Sequence, residues 1–487
     1  MKKLIFNKLE RIFPASFFNR YYALREKFEG RKMKFRLFLR HKFPAGYYLL
    51  QRIVSNIYLA QLSLKSPDAY KKILKEKMPD RLFRHVTFRM AMERKWKRFP
   101  KLLSLPISKT EVLFVSSSAH PELIKMCIAL KRSRPGIRCT LITRRHAHTQ
   151  RLCNQWFDEV IVTGVGNDLS MISYIQNAQA KVVILRFRDI VFQTLIQMYC
   201  TSPLVYYSSG FFPSSRYEDF LTDPELTFDE VFESDKYLLE NVQGIMHFLS
   251  DGIIDWFKNR GVQITCPTSV LYTASLEELA PERILPKLSE EDGEWHIVHA
   301  TGVEGVNTPP KLGGGAFLPV EKCRVIVSQG IHLHVYGTYF DRRSPGYAPY
   351  VELEKHSKYF HIESNLEFDV LQVEMTKYDL AWKHWDISAM PFWPEYLDYV
   401  TPNFFAYLQS GVPLLMSAKM PFRERYIAEK YQLGILIGDD DLEYTAAILG
   451  QNKDRIKTMS VAAIEASKGV LSYPVDSLMK VVGPYLD

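Results

Sequence analysis

The sequence predicts an α/β protein in which two lobes, each built on a parallel β-sheet, follow a basic helical N-terminal region. Three observations support this: a length of 487 residues, an alternation of short apolar runs with amphipathic stretches from Thr110 onward, and a change in charge near the same point. A chain of this length exceeds one ordinary domain of roughly 100 to 200 residues. A hydrophobic fraction of 47% with 24% charged residues is typical of a folded globular chain.

Charge is divided unevenly along the chain. Residues 1–110 carry 28 Lys and Arg against 7 Asp and Glu, or +21, and the remaining 377 residues carry 35 against 47, or −12. Aromatic residues such as Phe35 and Phe38 lie among the N-terminal cations. Rings suit the lipid headgroup boundary and cations suit anionic lipid, so we expect residues 1–110 to bind an anionic membrane surface. A solvated helical packing face is the first alternative; nucleic acid, which needs the same residue types, is the less favoured one.

Neither the cysteine spacing nor the hydropathy indicates secretion. The six cysteines are widely spaced without a metal-ligand pattern, so we expect reduced thiols and no structural zinc. Charges at Lys8, Glu10 and Arg11 interrupt the apolar N-terminal segment, which argues against a signal peptide. The apolar stretch 47–64 is broken by polar residues and falls short of the roughly 18 apolar residues of a spanning helix. The predicted location is cytoplasmic, with peripheral association at the membrane.

Short apolar runs predict the strands of both lobes. Amphipathic stretches of crossover-helix length separate them, which indicates parallel sheets covered on both faces. In the first lobe, residues 110–275, the predicted strands are 111–116, 139–142, 159–162, 181–185 and 204–207. After a linker, 276–294, the second lobe, 295–455, has predicted strands at 295–299, 331–336, 359–362, 387–390 and 412–416.

The C-terminal segment 456–487 reads as helices, with breaks at Pro474 and Pro484. Residues 1–109 form the basic, mainly helical N-terminal region of this division. Open parallel sheets bind ligands at the carboxyl ends of their strands. Candidate functional residues are therefore expected in the loops that follow the strands.

One stretch of the second lobe, residues 385–418, carries a recognisable set of positions. They are Asp386, Pro391, Pro402, Asn403, Tyr407, Leu408, Gly411 and Pro413. This set resembles the donor-binding region of GT-B glycosyltransferases, especially the retaining, family 4-like enzymes that build bacterial surface polysaccharides. The segments 332–337 (HLHVYG) and 431–441 (YQLGILIGDDD) extend the resemblance. It implies two Rossmann-like lobes of the GT-B type, with a nucleotide-sugar donor bound in the cleft between them.

The resemblance implies donor-binding roles for seven residues: Gly302, Lys311, Tyr336, Gly337, Pro391, Pro402 and Asn403. A proline and a polar residue at a helix start leave backbone N–H groups unpaired, which suit a diphosphate or ribose hydroxyls. The glycine-rich loop 301–315 offers Lys311 to the leaving diphosphate; a flexible exposed turn is the alternative, because the loop lacks the P-loop pattern. An ordinary helix start followed by the turn at Gly411 would give the same proline-to-glycine pattern.

On the acceptor side, the loop after the first strand (VSSSAHPEL) presents Ser117, Ser118 and His120. At a strand-to-helix loop these residues would face an acceptor hydroxyl, and His120 would act as the base or orient that hydroxyl. A surface histidine before a helix-starting proline is the plainer alternative. Ser208 and Ser209 follow another predicted strand and would line the same side, or only turn the chain.

We therefore predict a glycosyltransferase that moves a sugar from a nucleoside-diphosphate-sugar donor to a lipid-linked or membrane-proximal glycan acceptor in surface polysaccharide synthesis. The resemblance implies retaining, metal-independent transfer, and we expect no cofactor. No DxD-like pair follows a predicted strand, and the acidic run 439–441 suits a helix cap. The family's glutamate before the Tyr-Leu pair is Ala406 here. A nucleotide-sugar 2-epimerase on the same fold and a non-catalytic nucleotide-binding or scaffold protein are the alternatives.

Overall fold

The computed structural model describes several continuous ranges and a few single positions between them. The ranges are 110–145, 148–163, 178–186, 200–208, 228–247, 252–271, 274–300, 318–337, 345–384 and 400–487. Both lobes belong to one compact unit, Phe99–Tyr217 with Val231–Asp487. The predictions for the basic N-terminal region, residues 1–109, lie outside the described residues.

The first lobe is built on a parallel sheet whose seven described strands run in the order β3-β2-β1-β4-β5-β6-β7. Strands β1, β2, β4 and β5 are buried along their whole length, as sheets covered on both faces require. The strands are β1 Val112–Ser116, β2 Cys139–Thr143, β3 Glu159–Val162, β4 Val182–Arg186, β5 Leu204–Ser208, β6 Gly244–His247 and β7 Thr268–Val270.

A second parallel sheet forms the second lobe, with its six described strands in the order β10-β9-β8-β11-β12-β13. The predicted strand 387–390 lies outside the described residues, and the strand β11, a few residues earlier, was not predicted. The strands are β8 His296–His299, β9 His332–Val335, β10 Phe360–Ile362, β11 Leu380–Lys383, β12 Leu414–Ser417 and β13 Gly434–Ile437.

Helices cover these sheets and connect their strands. In the first lobe the described helices are α1 Pro121–Ser133, α2 Gln150–Trp156, α3 Phe228–Asn241 and α4 Gly252–Asn259. From the linker to the C-terminus they are α5 Ser289–Asp292, α6 Val320–Val327, α7 Ala348–His356, α8 Phe368–Met375, α9 Pro402–Gln409, α10 Phe422–Lys430, α11 Thr445–Gln451, α12 Lys453–Lys468 and α13 Val475–Val482.

The last helix, α13, returns to the first lobe. Gly244 in β6 lies so close to it that a Cβ there would stand 2.5 Å from Cγ1 of Val481. The preceding segment bonds to the end of the first lobe, because Tyr473 N donates to Ser275 O at 2.9 Å and Ser275 N donates to Leu471 O at 3.1 Å. The C-terminal residues therefore stabilise the first lobe, although they follow the second in sequence.

Each sheet reverses its strand order at one place, between β1 and β4 in the first lobe and between β8 and β11 in the second. In open parallel sheets such reversals leave a crevice at the carboxyl ends of the two strands, where ligands bind. The predicted fold class, two Rossmann-like lobes, is confirmed. Within the described residues, no helix combines the length and apolar character that crossing a membrane requires.

Candidate functional site

A buried lysine stands at the strand-order reversal of the second sheet. Lys383 is the last residue of β11 and is only 2% exposed. Its Nζ donates to Oδ1 of Asn403 at 2.6 Å and to the hydroxyl of Thr401, and it lies 3.7 Å from Oε1 of Glu424. No sequence pattern indicated Lys383, because an isolated lysine in an apolar stretch resembles an exposed residue.

Burial has opposite effects on the two charged partners of this cluster. It lowers the pKa of Lys383, an effect that the Glu424 carboxylate opposes. Burial raises the pKa of Glu424, whereas the charge of Lys383 and the hydrogen bonds from the hydroxyl and backbone N–H of Thr401 lower it. Each charge is therefore held in place by the other, and loss of one leaves the other buried without a counter-charge.

The predicted donor residues Pro402 and Asn403 open helix α9 beside Lys383. Thr401 is the N-cap residue, in an extended conformation, and its side chain makes no capping hydrogen bond to the helix. The first turn of α9 therefore lacks a side-chain cap, and helix N-termini of this kind favour anions. Gly411, after the helix, has a φ of +66°, the left-handed conformation that the predicted turn requires.

Tyr407 contacts the backbone at the end of β8. Its buried hydroxyl accepts a hydrogen bond of 2.7 Å from the backbone N–H of Ala300, the residue directly after β8. Helix α9 is thus joined to both strands at the reversal, to β11 through Lys383 and to β8 through Tyr407. The next residues, which include the predicted Gly302 and Lys311, lie outside the described residues, as do Pro391 and Ser209.

Two further lysines lie near the carboxyl ends of these strands. Lys419 Nζ is 3.0 Å from Asp386 Oδ2 and 2.9 Å from Asp439 Oδ2, and Lys322 also pairs with Asp439. Burial raises the pKa of Asp439, but the hydrogen bonds from the two lysines outweigh it and hold that pKa at about 2. The predicted capping role of 439–441 is wrong in its detail, because Asp441 precedes a short 3-10 turn without a side-chain capping bond.

A neutral imidazole follows Lys383 directly. His384 is buried, and burial, together with the nearby charge of Lys322, lowers its pKa to about 3. Among the described residues its Nε2 has no hydrogen-bond partner. The site therefore combines a buried cation, more exposed cations and an uncharged histidine at one edge of the sheet.

Tyr336 and Gly337 follow β9 at the same edge, but the Tyr336 side chain faces the lobe interior. Its hydroxyl lies 2.7 Å from that of Tyr378, and burial raises its pKa. A donor role for Tyr336 remains a prediction. Only the backbone of these two residues lies at the strand end.

In the first lobe, three of the predicted acceptor residues, Ser117, Ser118 and His120, follow β1 at the reversal between β1 and β4. Ser116 Oγ donates to Ser118 O at 2.6 Å, and His120 precedes helix α1 with its Nδ1 3.8 Å from Oε2 of Glu122. Arg186, which ends β4, lies 3.9 Å from the same carboxylate oxygen. Sequence reasoning missed this buried pair, because its members are 64 positions apart in the printed sequence. Ser117 is half-buried in the same loop, and Ser208 is buried at the end of β5.

Solved structures share this fold. WaaG, a glycosyltransferase involved in lipopolysaccharide biosynthesis, matches with a TM-score of 0.52 at 14% identity, over 76% of this chain and 100% of WaaG. Sucrose-phosphate synthase from Thermosynechococcus elongatus matches with a TM-score of 0.51 at 11% identity, over 77% and 98%. The chain has the GT-B fold. Anabaena HepE in complex with UDP-glucose matches equally, with a TM-score of 0.51 at 12% identity, over 77% and 98%.

Sequence comparison adds no nearer relative to these GT-B structures. No family model matches the chain, and no curated protein matches it. Each lobe has one strand-order reversal, and in open parallel sheets ligands bind at the carboxyl ends of the strands that flank such a reversal. Ala406, one turn after Asn403 on the same face of α9, is half-buried, so this face carries a methyl group where the resemblance would have a carboxylate.

Proposed function

We propose that this protein is a glycosyltransferase that binds a nucleoside-diphosphate sugar at the carboxyl edge of the second sheet and transfers the sugar to an acceptor at the first lobe. The observation that carries the proposal is the buried Lys383, joined to Asn403 at the uncapped start of α9, at the strand-order reversal. The fold likeness supports it, since Anabaena HepE was solved with UDP-glucose.

The chemistry needs charge stabilisation more than proton transfer. The bond between the sugar's anomeric carbon and the diphosphate breaks, and a bond from that carbon to the acceptor oxygen forms. Negative charge then accumulates on the diphosphate, where cations and helix N–H groups stabilise it. Lys383 and Lys419 supply the cations in this proposal, together with Lys311 and Gly302 in the loop after β8. Pro391 would lie beside the donor as well.

The acceptor hydroxyl must lose its proton as the new bond forms. In this proposal His120 accepts that proton or orients the acceptor hydroxyl, with Oε2 of Glu122 3.8 Å from its Nδ1. Ser117, Ser118, Ser208 and Ser209 line the acceptor side. Retention of configuration and independence from metal ions are further parts of the proposal. They rest on the resemblance of the stretch 385–418.

The acceptor is proposed to be a lipid-linked or membrane-proximal glycan in surface polysaccharide synthesis. The +21 charge of residues 1–110 supports this, because an anionic membrane would hold the enzyme near such a substrate. The protein would then act at the cytoplasmic face, bound peripherally. The involvement of WaaG in lipopolysaccharide biosynthesis is consistent with this class of acceptor.

A second candidate is a nucleotide-binding protein without transfer activity. Ala406 favours it, because the carboxylate that the resemblance would place on this face of α9 is missing. Incubation with a panel of nucleotide sugars and detergent-dispersed lipid-linked glycans separates the candidates. Release of a nucleoside diphosphate with a matching gain in acceptor mass supports transfer. Binding without release supports the second candidate, and a soluble epimerised sugar nucleotide formed without acceptor would indicate an epimerase.

The same assay tests the acceptor side with a matched pair of histidine variants. His120→Ala should lower the rate of transfer at least tenfold while donor affinity stays within twofold. His356→Ala, an exposed histidine at the end of α7, is the control and should leave both unchanged. Equal rates in the two variants would remove His120 from the proposal.

A further inference from the structure

Four histidines lie together on one face of the second sheet. His296 and His332 are register partners on β8 and β9, and His334 and His361 are register partners on β9 and β10. The rings of each pair stack with centroids 4.3 Å apart. Because side chains alternate along a strand, these rings occupy the face opposite to Leu333, whose side chain belongs to the hydrophobic core.

Carboxylates fix the tautomers of two of these rings. Asp292 Oδ2 lies 3.0 Å from His296 Nε2, and Glu363 Oε1 lies 2.7 Å from His334 Nδ1. An ionised carboxylate only accepts hydrogen bonds, so the ring nitrogen that faces each carboxylate must carry the proton.

The remaining nitrogens of the two rings face each other. With Nε2 protonated, neutral His296 has a bare Nδ1, and with Nδ1 protonated, neutral His334 has a bare Nε2; these two atoms are 3.0 Å apart. Two lone pairs at this distance repel each other unless a cation lies between them.

A metal ion resolves the same conflict. Tetrahedral zinc with Zn–N bonds of about 2.0 to 2.1 Å separates two nitrogens by about 3.3 Å, near the distance found here. One nitrogen from each of His296, His332 and His334 lies within 4.8 Å of the other two. Zinc-bound histidines commonly donate their other N–H to a carboxylate, and this is how Asp292 and Glu363 are placed.

We propose that His296, His332 and His334 bind a zinc ion. Asp292 would orient the ring of His296, and Glu363 would orient the ring of His334. His332 would contribute Nδ1, because its Nε2 lies 2.6 Å from Oε2 of Glu294 and donates to it. The ion would then replace the present contact of that Nδ1 with Nε2 of His361, 2.8 Å away. Imidazole nitrogen favours zinc over magnesium or calcium, which prefer oxygen. The ion would join β8 and β9 to the segment before β8. The proposed donor residue Lys383 lies at the opposite, carboxyl end of β11, so the two sites are separate.

The test begins with the unaltered 487-residue chain without a polyhistidine tag, treated with a chelator and dialysed at pH 7.5. Titration with ZnCl₂ against a chromophoric chelator should give one tight site, and the melting temperature should rise with zinc but not with MgCl₂. Substitution with Co²⁺ should give the visible absorption of a tetrahedral, nitrogen-ligated ion. Absence of tight zinc binding, or of that Co²⁺ spectrum, would overturn the proposal, whatever the variants do.

Variants then assign the site to these residues. His296→Gln and His334→Gln should each lose the tight zinc and the Co²⁺ spectrum, whereas His356→Gln, at an exposed histidine on α7, should keep both. Retention of the tight site in both cluster variants would place zinc elsewhere and overturn the assignment. If instead a shared proton occupies the cluster, the unaltered protein binds no zinc and its histidine nitrogens titrate together by NMR.

Discussion

The ammonium group of Lys383 lies 2.6 Å from the amide oxygen of Asn403, which joins the end of a buried strand to the start of a helix. This contact places a cation next to an uncapped helix N-terminus, the two features that bind phosphate most readily. Glu424 behind the lysine balances its charge in the absence of a ligand.

Substitution of Lys383, alone and together with Glu424, should distinguish its contribution to stability from its contribution to nucleotide binding. Lys383→Met leaves the Glu424 carboxylate buried without its cation, so the free energy of unfolding should fall by about 3 to 5 kcal/mol. In Lys383→Met/Glu424→Gln both charges are absent, and most of that stability should return while nucleotide affinity stays low. Urea unfolding and calorimetric titration measure the two quantities. Lys457→Met, at an exposed lysine on α12, is the control. Normal nucleotide affinity in the double variant would exclude Lys383 from the site.

Tyr407 should control the loop after β8. Tyr407→Phe leaves the N–H of Ala300 without its acceptor, so the free energy of unfolding should fall by about 1 to 3 kcal/mol. Nucleotide affinity should fall as well, because the loop loses its link to α9. Tyr444→Phe, at an exposed tyrosine, is the matched control. Unchanged nucleotide affinity in Tyr407→Phe would show that this hydrogen bond does not position the loop.

His384 should make the fold sensitive to mild acid. Its folded pKa, about 3, lies below the ordinary value of 6.5, so the unfolded chain binds a proton first as the pH falls. The contribution of this group is therefore fully present above pH 6.5 and is lost as the pH falls toward 3, at up to about 1.4 kcal/mol per pH unit. His384→Gln should lose less stability than the unaltered protein between pH 7.5 and pH 5 in urea unfolding. Parallel pH profiles for the two proteins would contradict this.

Gly244 should be required for the docking of α13. In Gly244→Ala the new methyl group meets Cγ1 of Val481, and overpacking of this kind typically costs about 1 to 3 kcal/mol. Val481→Ala introduced into the same chain should recover part of that loss. A double-mutant cycle in urea measures the coupling. Additive effects of the two substitutions would show that the contact does not limit the packing.

Sequence patterns predicted strands of both lobes from short runs of mainly apolar residues between amphipathic stretches. The buried strands β1 and β2 stand out because every residue faces the core. Strand β11 was missed because it ends in Lys383, a buried charge whose partners come from α9 and α10. The burial of Lys383 depends on tertiary contacts, which the local hydrophobic periodicity of the sequence does not show.

The cluster around Lys383 and the cluster of four histidines differ in how many of their residues can be recognised from the sequence. Pro402 and Asn403 are recognisable because helix starts have a local signature. The alternation of His332 and His334 is visible too, but His296 and His361 come from neighbouring strands 36 and 27 positions away from His332 and His334, respectively. Only the register of the sheet brings these four rings together.

The most direct test of the central claim is calorimetric titration of the unaltered protein with UDP, GDP, CDP, ADP and their sugar conjugates. We expect saturable binding of one nucleoside diphosphate and a rise in melting temperature with its concentration. That binding should be lost in Lys383→Met/Glu424→Gln and Asn403→Ala but not in Lys457→Met. Failure of every nucleotide to bind the folded, unaltered chain would contradict a donor site at this edge of the second sheet.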